Sequence, residues 1–342
     1  VQLPGLGLAG AKMDIWRQRL RDVPMTSVLE RSMQNKSNIA PPKHSTRNSN
    51  LSQLTPPQSI PFYKFSPVRT ASFTSLSKSD QDHSLSSDRY DESETDETSG
   101  EEKADLLQPL GKGGAALGDQ LHHLLEEHLG NHRELSEVLQ GVEKAEIWKD
   151  ILQKILVQPI PLSDQKHTTL HAVRNSCITE MQFHLPVGVV SRTALSEALL
   201  ADYSLSQKTA LADWAEQISA WSFHEFTGFF QGYIDLIFEH ESRWYIVDYK
   251  SNRLDGYDDE NLEAAMLEKN YLLQARLYAL ALHRHLKFHL PDYNYETHFG
   301  GVIYLFVRGF PFEGVWFERP SLSATEALGT LFANTPAPHT HA

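Results

Sequence analysis

The sequence predicts an α/β sandwich, with helices packed on a sheet, and three observations carry that reading. Apolar residues recur at helical spacing over 118–130 and again over 145–157. Strand-like runs follow at 180–185, 228–238 and 244–249, the last two separated by a tight turn. A long Ala-, Leu- and Gln-rich helical stretch, from about Glu260 to Leu286, then leads into an apolar run at 301–307.

Each element has a local cause. Leu121, Leu124, Leu125 and Leu129 fall on one face of a 3.6-residue helix, giving a stripe to bury. Val302-Ile303-Tyr304-Leu305-Phe306 is apolar without alternation, as expected of a strand covered on both faces. Ahead of these, residues 1–34 read as a short helical remnant of a preceding region, with Ile15, Trp16 and Leu20 at helical spacing. Residues 35–105 are Ser/Pro-rich and then acidic. Stretches such as Asp91-Glu92-Ser93-Glu94 cannot bury enough apolar surface to offset ordering entropy. We therefore expect a largely disordered N-terminal segment with one strand-like island at Val68–Leu76. The folded domain is expected over 106–325, with a flexible tail at 326–342.

Composition excludes several classes. The one cysteine, Cys177, rules out an internal disulfide, a Cys-based zinc site and a four-Cys iron–sulfur cluster. With no run of about 18 apolar residues, a membrane-spanning helix is not expected. No basic-then-apolar leader opens the chain, so the expected compartment is the cytoplasm, and the missing initiator Met suggests a fragment or a processed chain. Gly111-Lys112-Gly113-Gly114 lacks the spacing of a phosphate-binding loop and reads as a hinge. His283, His285, His339 and His341 flank no carboxylate cluster and are expected at the surface. The net charge of −13 divides unevenly: +8 over residues 1–79, −9 over 80–105 and −12 over 106–342.

The densest chemistry lies in two adjacent runs, Gly232-Tyr233-Ile234-Asp235 and Val247-Asp248-Tyr249-Lys250. Strand alternation projects Asp248 and Lys250 from one face. If the strands close through Glu241-Ser242, paired numbers sum to 483 and Asp235 lies opposite Asp248. Two carboxylates and a lysine among apolar residues need a partner, because buried like charges repel. A hard divalent cation such as Mg²⁺ accepts carboxylate oxygens and meets substrate phosphates, which suits phosphodiester hydrolysis. A plain cross-strand salt bridge on a solvated face is the alternative reading of the same residues.

Gly232–Asp235, Asp248-Tyr249-Lys250-Ser251-Asn252 and Gln274-Ala275-Arg276-Leu277-Tyr278, in that order, resemble the PD-(D/E)XK nuclease superfamily. More narrowly, they resemble the C-terminal nuclease domain of RecB-like exodeoxyribonuclease V beta chains. The likeness continues through Asp292-Tyr293-Asn294-Tyr295-Glu296 and His298–Phe306. It implies a restriction-endonuclease-like core, a central mixed sheet flanked by helices. It implies metal ligation by His122, Asp235, Asp248 and the Tyr249 carbonyl, with Lys250 catalytic beside Asp248 and Glu180 lining the site. Gln274 and Tyr278 are implied in DNA contact, and their four-residue spacing puts them on one helix face. Asp119-Gln120 departs from the family pattern next to His122. The implied cofactor is Mg²⁺, with Mn²⁺ suited to an imidazole ligand.

The resulting expectation is a metal-dependent DNA exonuclease/endonuclease module of a RecBCD-type helicase–nuclease, working in end processing and recombinational repair. Its expected partners are linear DNA, delivered as single strands by a helicase, and RecC- and RecD-like subunits. No helicase motif is present in this chain, so it is not itself a motor. A non-catalytic docking module and an independent single-strand nuclease are the competing readings. Because residues 106–342 carry −12, we expect weak, strongly salt-dependent DNA binding by that part alone. Titration of labelled DNA without metal at physiological salt checks this, and micromolar or tighter binding would contradict it.

Overall fold

The apolar run near residue 300 becomes the most deeply buried strand of a six-stranded sheet. The computed structural model describes residues 105–111, 114–163, 165–187, 192–199 and 228–333. It adds the strand at 69–71 and the single positions 213, 214, 216 and 218. The expected helical remnant at 1–34, most of the 35–105 linker, Lys112-Gly113, the end of the tail, His339 and His341 lie outside the described residues.

In chain order the main elements are β1 (Arg69–Ala71), α1 (Ala115–Leu125), α2 (Ala145–Val157), β2 (Cys177–Val187) and α3 (Arg192–Leu199). These are followed by β3 (Gly228–His240), β4 (Arg243–Lys250), α4 (Asp259–Glu268), α5 (Tyr271–His289), β5 (Phe299–Phe306), β6 (Val315–Glu318) and α6 (Leu322–Ala333). β2 runs antiparallel along one edge of β3. The other edge of β3 is shared by β1, parallel at Gly228–Phe230, and by β4, antiparallel from Leu236 to His240. Parallel β5 and antiparallel β6 extend the sheet beyond β4. The sheet is mixed and has helices on both faces. Leu236, Phe238, Val247 and Ile303 pack with Leu121, Trp148 and Ile151 of α1 and α2. Phe183, Ile234, Ile246 and Tyr304 pack with Leu273, Leu277 and Leu280 of α5 on the opposite face.

The β3–β4 hairpin has the register that the two-residue loop predicts, with Leu236 opposite Val247 and His240 opposite Arg243. Glu241 (φ 51°) and Ser242 (φ 67°) both enter the left-handed region, as a primed turn demands of residues that do not favour it. At β4–β5 the register slips by one residue, with Trp244 facing Phe299 and Tyr245 facing Gly301. Gly300 is the extra residue. A side chain there would collide with the Tyr245 ring, so the bulge needs glycine.

Four expectations change. The stretch 260–286 is two helices, broken at Asn270, whose φ of 58° ends α4 while its backbone starts α5. Asparagine tolerates that conformation, and Asn270 also accepts a hydrogen bond from the Trp214 indole at 3.0 Å. Residues 326–333 do not form a tail: α6 continues through them, burying Leu328 and Phe332. At the other boundary, Asp105 belongs to the fold through its 2.7 Å bond to the buried Arg308 guanidinium.

The fourth change concerns His283 and His285, which are buried in α5 rather than at the surface. Neither ring nitrogen of His285 has a hydrogen-bond partner. Burial, with His289 alongside, lowers the His285 imidazole to about 3, and burial with Lys287 nearby lowers His283 to about 4. Both pKa values are depressed, so below the ordinary imidazole range the unfolded chain binds protons that the folded chain refuses. Stability therefore falls as pH drops from about 6.5 toward 4, by up to ~1.4 kcal/mol per pH unit for each histidine. His285→Leu should remove its share, gaining about 2 kcal/mol on wild type between pH 7 and pH 5. Urea midpoints at the two pH values measure it.

Candidate active site

Strict alternation would carry β2 and β3 through the sheet with one face each, and both strands break it at the same place. On β2, Cys177 faces the α1–α2 core and Ile178 the α5 core, yet Met181 and Phe183 also face α5. On β3, Phe238 and Leu236 face α1–α2, whereas Ile234 faces α5. The reversal falls on Glu180 and Asp235, the one position missing from an otherwise continuous ladder between Thr179–Leu236 and Met181–Ile234. Glu180 has φ 51°, a conformation that costs a non-glycine strand residue roughly 1–3 kcal/mol. The strain turns a carboxylate out of the pleat instead of into either core.

α1 supplies the third group. Leu117, Leu121, Leu124 and Leu125 bury its apolar stripe, and His122, one position off that stripe, reaches the sheet. Its Nδ1 lies 3.5 Å from Asp235 Oδ2, and its Nε2 lies 3.0 Å from the Tyr249 carbonyl oxygen. Ligand atoms of His122, Glu180 and Asp235 all fall within 4.8 Å of one another. The pairing expected between Asp235 and Asp248 does not form, because the β3–β4 ladder ends at Leu236–Val247. Asp235 Oδ2 instead accepts a 2.9 Å bond from the Tyr249 amide.

Asp248 and Lys250 do share a face, as alternation requires, with Nζ 2.9 Å from Asp248 Oδ2. Asp248 is buried, and this ion pair takes up its Oδ2. The Lys250 ammonium sits 4.1 Å from the Tyr271 ring centre and 5.6 Å from that of Tyr304, a cation–π arrangement. Tyr271 donates to the Asn252 side chain at 3.1 Å, and Tyr304 donates to Gln274 Oε1 at 2.9 Å. Gln274 in turn donates to the Tyr278 hydroxyl at 3.0 Å. Gln274 and Tyr278 are buried on α5 and are linked through Tyr304 to the rings around Lys250. Tyr271, Tyr304 and Asn252 escaped the sequence reading. Tyr271 could have been found, since it precedes Gln274 by three and Tyr278 by seven on one helix face.

The charges respond to this crowding. Burial opposes a charge on His122, but Asp235 outweighs it and lifts the imidazole to about 9. Burial also works against Asp235, yet His122 and Lys250 hold its carboxyl below the usual range. Asp248 goes the other way: burial, with Asp235 adding repulsion, pushes it up to about 6 despite Lys250. Lys250 overcomes its own burial through Asp248 and is raised above the ordinary lysine value. Three carboxylates crowded around one imidazole fit a divalent cation far better than they fit one another.

The profile of the PD-(D/E)XK nuclease superfamily matches residues 101–328, which include every residue of this site. The chain belongs to that superfamily. Among curated relatives, the RecBCD enzyme subunit RecB of Escherichia coli (strain K12) is 35% identical over 241 residues, 64% of this chain and 19% of that protein. The RecB subunit of Haemophilus influenzae is 34% identical over 234 residues, covering 64% and 18%. That of Mycolicibacterium smegmatis is 36% identical over 150 residues, covering 39% and 14%. The chain spans less than a fifth of the length of these relatives. No helix among the described residues is long and apolar enough to cross a membrane.

With this donor set, Mg²⁺ or Mn²⁺ at about ten times its Kd should stabilise the chain by about 1.4 kcal/mol, raising the thermal midpoint by a few degrees. Asp235→Asn should abolish the shift. Thermal scans in EDTA, Mg²⁺ and Mn²⁺ check it.

Proposed function

We propose that this chain is a metal-dependent deoxyribonuclease, the nuclease module of a RecBCD-type helicase–nuclease. The observation carrying the reading is the convergence of the His122–Glu180–Asp235 triangle with the Asp248–Lys250 pair at one end of a PD-(D/E)XK sheet. The reaction is hydrolysis of phosphodiester bonds, exonucleolytic or endonucleolytic, in DNA end processing and recombinational repair. Its substrate is linear DNA supplied as single strands by a helicase, and its partners are RecC- and RecD-like subunits in the cytoplasm. The names of the RecB relatives and the net acidity of the domain support dependence on such partners.

His122, Glu180 and Asp235 would hold the cation, with Asp248 and the Tyr249 carbonyl beside them. The oxygen-rich set favours Mg²⁺, and the imidazole admits Mn²⁺. When bound, a divalent ion supplies charge neutralisation at the phosphate and a lower pKa for attacking water. Lys250 does the rest from its fixed seat. Its ammonium, held by Asp248 and steadied by Tyr271, donates hydrogen bonds to the attacking water and to the phosphoryl oxygen that gains charge. Asp248 would therefore have two tasks, orienting Lys250 and offering a carboxylate oxygen to the ion.

Linear single-stranded DNA incubated with the full chain should be degraded in Mg²⁺ and not in EDTA. Asp248→Ala and Lys250→Ala should each lower kcat by at least about 100-fold. Degradation that persists in EDTA, or in both variants, would overturn the reading.

A further inference from the structure

Beyond the Glu180–Asp235 break, β2 and β3 run on as a pair, and only one face of that continuation is core. Met181, Phe183, Leu185, Phe230 and Ile234 bury toward α5. Alternation sends Gln182, His184, Gln231 and Tyr233 to the opposite face, the side from which α1 delivers His122. The register places Gln182 directly across from Tyr233, and His184 across from Gln231. Tyr233 is 38% exposed, a large aromatic ring left open beside the site. None of the four is a carboxylate, although the chain carries −13 overall.

Position makes this patch part of the site. Tyr233 precedes Asp235 by two residues and Gln182 follows Glu180 by two, so the pair lies roughly 7 Å along the strands from the carboxylates. That is within reach of the nucleotide joined to a phosphate held at Asp235. A neutral aromatic ring flanked by amides suits a nucleobase: every base has a face to stack, and amides can donate and accept at its edge. In an acidic domain such a contact also avoids the repulsion that phosphate-tracking contacts would meet without added cations.

We propose that this polar face of β2–β3, where Tyr233 is exposed and Gln182 and Gln231 are half-buried, is a nucleotide floor, on which the base next to the scissile phosphate of a single strand stacks against Tyr233 while Gln182 and Gln231 meet its edge. The inference rests on the nuclease reading and names how that site holds its substrate. Tyr233 is a substrate-positioning residue here, with no part in the chemistry.

The test uses the full chain with Mg²⁺ and a single-stranded oligonucleotide. Tyr233→Ala should raise KM about tenfold with kcat changed less than about threefold, and Tyr233→Phe should restore KM. Making the oligonucleotide abasic should raise the wild-type KM by a similar factor, about tenfold, and add nothing to Tyr233→Ala. The salt dependence of KM should be the same in all three proteins. An unchanged KM in Tyr233→Ala, or an equal abasic penalty in wild type and variant, overturns the floor while leaving the nuclease reading intact. The second of those results would assign the face to another occupant, such as a protein segment. A wild-type chain that cuts no oligonucleotide overturns both.

Discussion

Everything at this site depends on a break in the pleat of two paired strands. A regular strand can offer a carboxylate only to the face its neighbours two residues away already share. Here Ile178 precedes Glu180 and Ile237 follows Asp235 by two, and both are core, so continuing their pleat would drive Glu180 or Asp235 into apolar packing. The left-handed φ of Glu180 and the lost pair at Asp235 resolve this. Each strand exchanges the face it buries on passing that point, and the two carboxylates emerge at the crossover. The same exchange frees Gln182 and Tyr233 from the core. Strain of the size expected for one left-handed residue is modest beside the burial of Phe183, Phe230, Ile234 and Leu236 on either side, and it is this packing that holds it.

A second constraint is the buried pair at the end of β4. Removing Asp248 and Lys250 from water carries a desolvation cost that Coulomb attraction alone often fails to recover. The surroundings close the gap. Tyr271 gives the ammonium an aromatic face, Asn252 fixes Tyr271, and Tyr257 donates to the Asn252 carbonyl at 3.0 Å. Arg308, itself buried, donates to the Ser251 carbonyl at 2.6 Å and bonds Asp105 at 2.7 Å. The residues immediately after Lys250 are thus held from β5's end and from the first described residue of the domain. A lysine so confined is a precise hydrogen-bond donor, and α5's burial follows from the need to carry this scaffold.

Much of this was legible in the residues. Alternation put Asp248 and Lys250 on one face, and a two-residue loop fixed the hairpin register even though Glu241-Ser242 is poor turn chemistry. The uninterrupted run through Val302–Phe306 announced a strand covered on both sides. Family likeness brought His122, Glu180 and Asp235 together across 113 positions, which no local pattern could do. What was not legible is where local rules lost to tertiary ones. Glutamate at positive φ in a strand has no sequence signature, so the crossover was invisible. Asn270 looked like one more polar residue in a helix, though asparagine is the non-glycine residue most at home in a left-handed break. His285 looked like surface because imidazole is polar, yet burial in α5 keeps it neutral and therefore compatible with the core. Gln274 and Tyr278 shared a helix face, but spacing alone cannot say that they bond each other and Tyr304 in a buried network.

The acidic balance takes on a different meaning at this scale. With its carboxylates ionised and His122 protonated, the cluster of Glu180, Asp235, Asp248, His122 and Lys250 has one negative charge left over. A dication exchanged for the imidazole proton would leave it neutral. Neutrality there would ease the approach of a phosphate to residues 106–342, whose net charge is −12. Net acidity disfavours the long-range attraction by which basic nucleases gather DNA. If the chain acts on DNA as proposed, substrate holding would draw on short-range contacts that carry no charge and on whatever presents the strand. On the reading proposed above, the exposed Tyr233 beside the triangle would supply the first of these through a ring on which any base can stack.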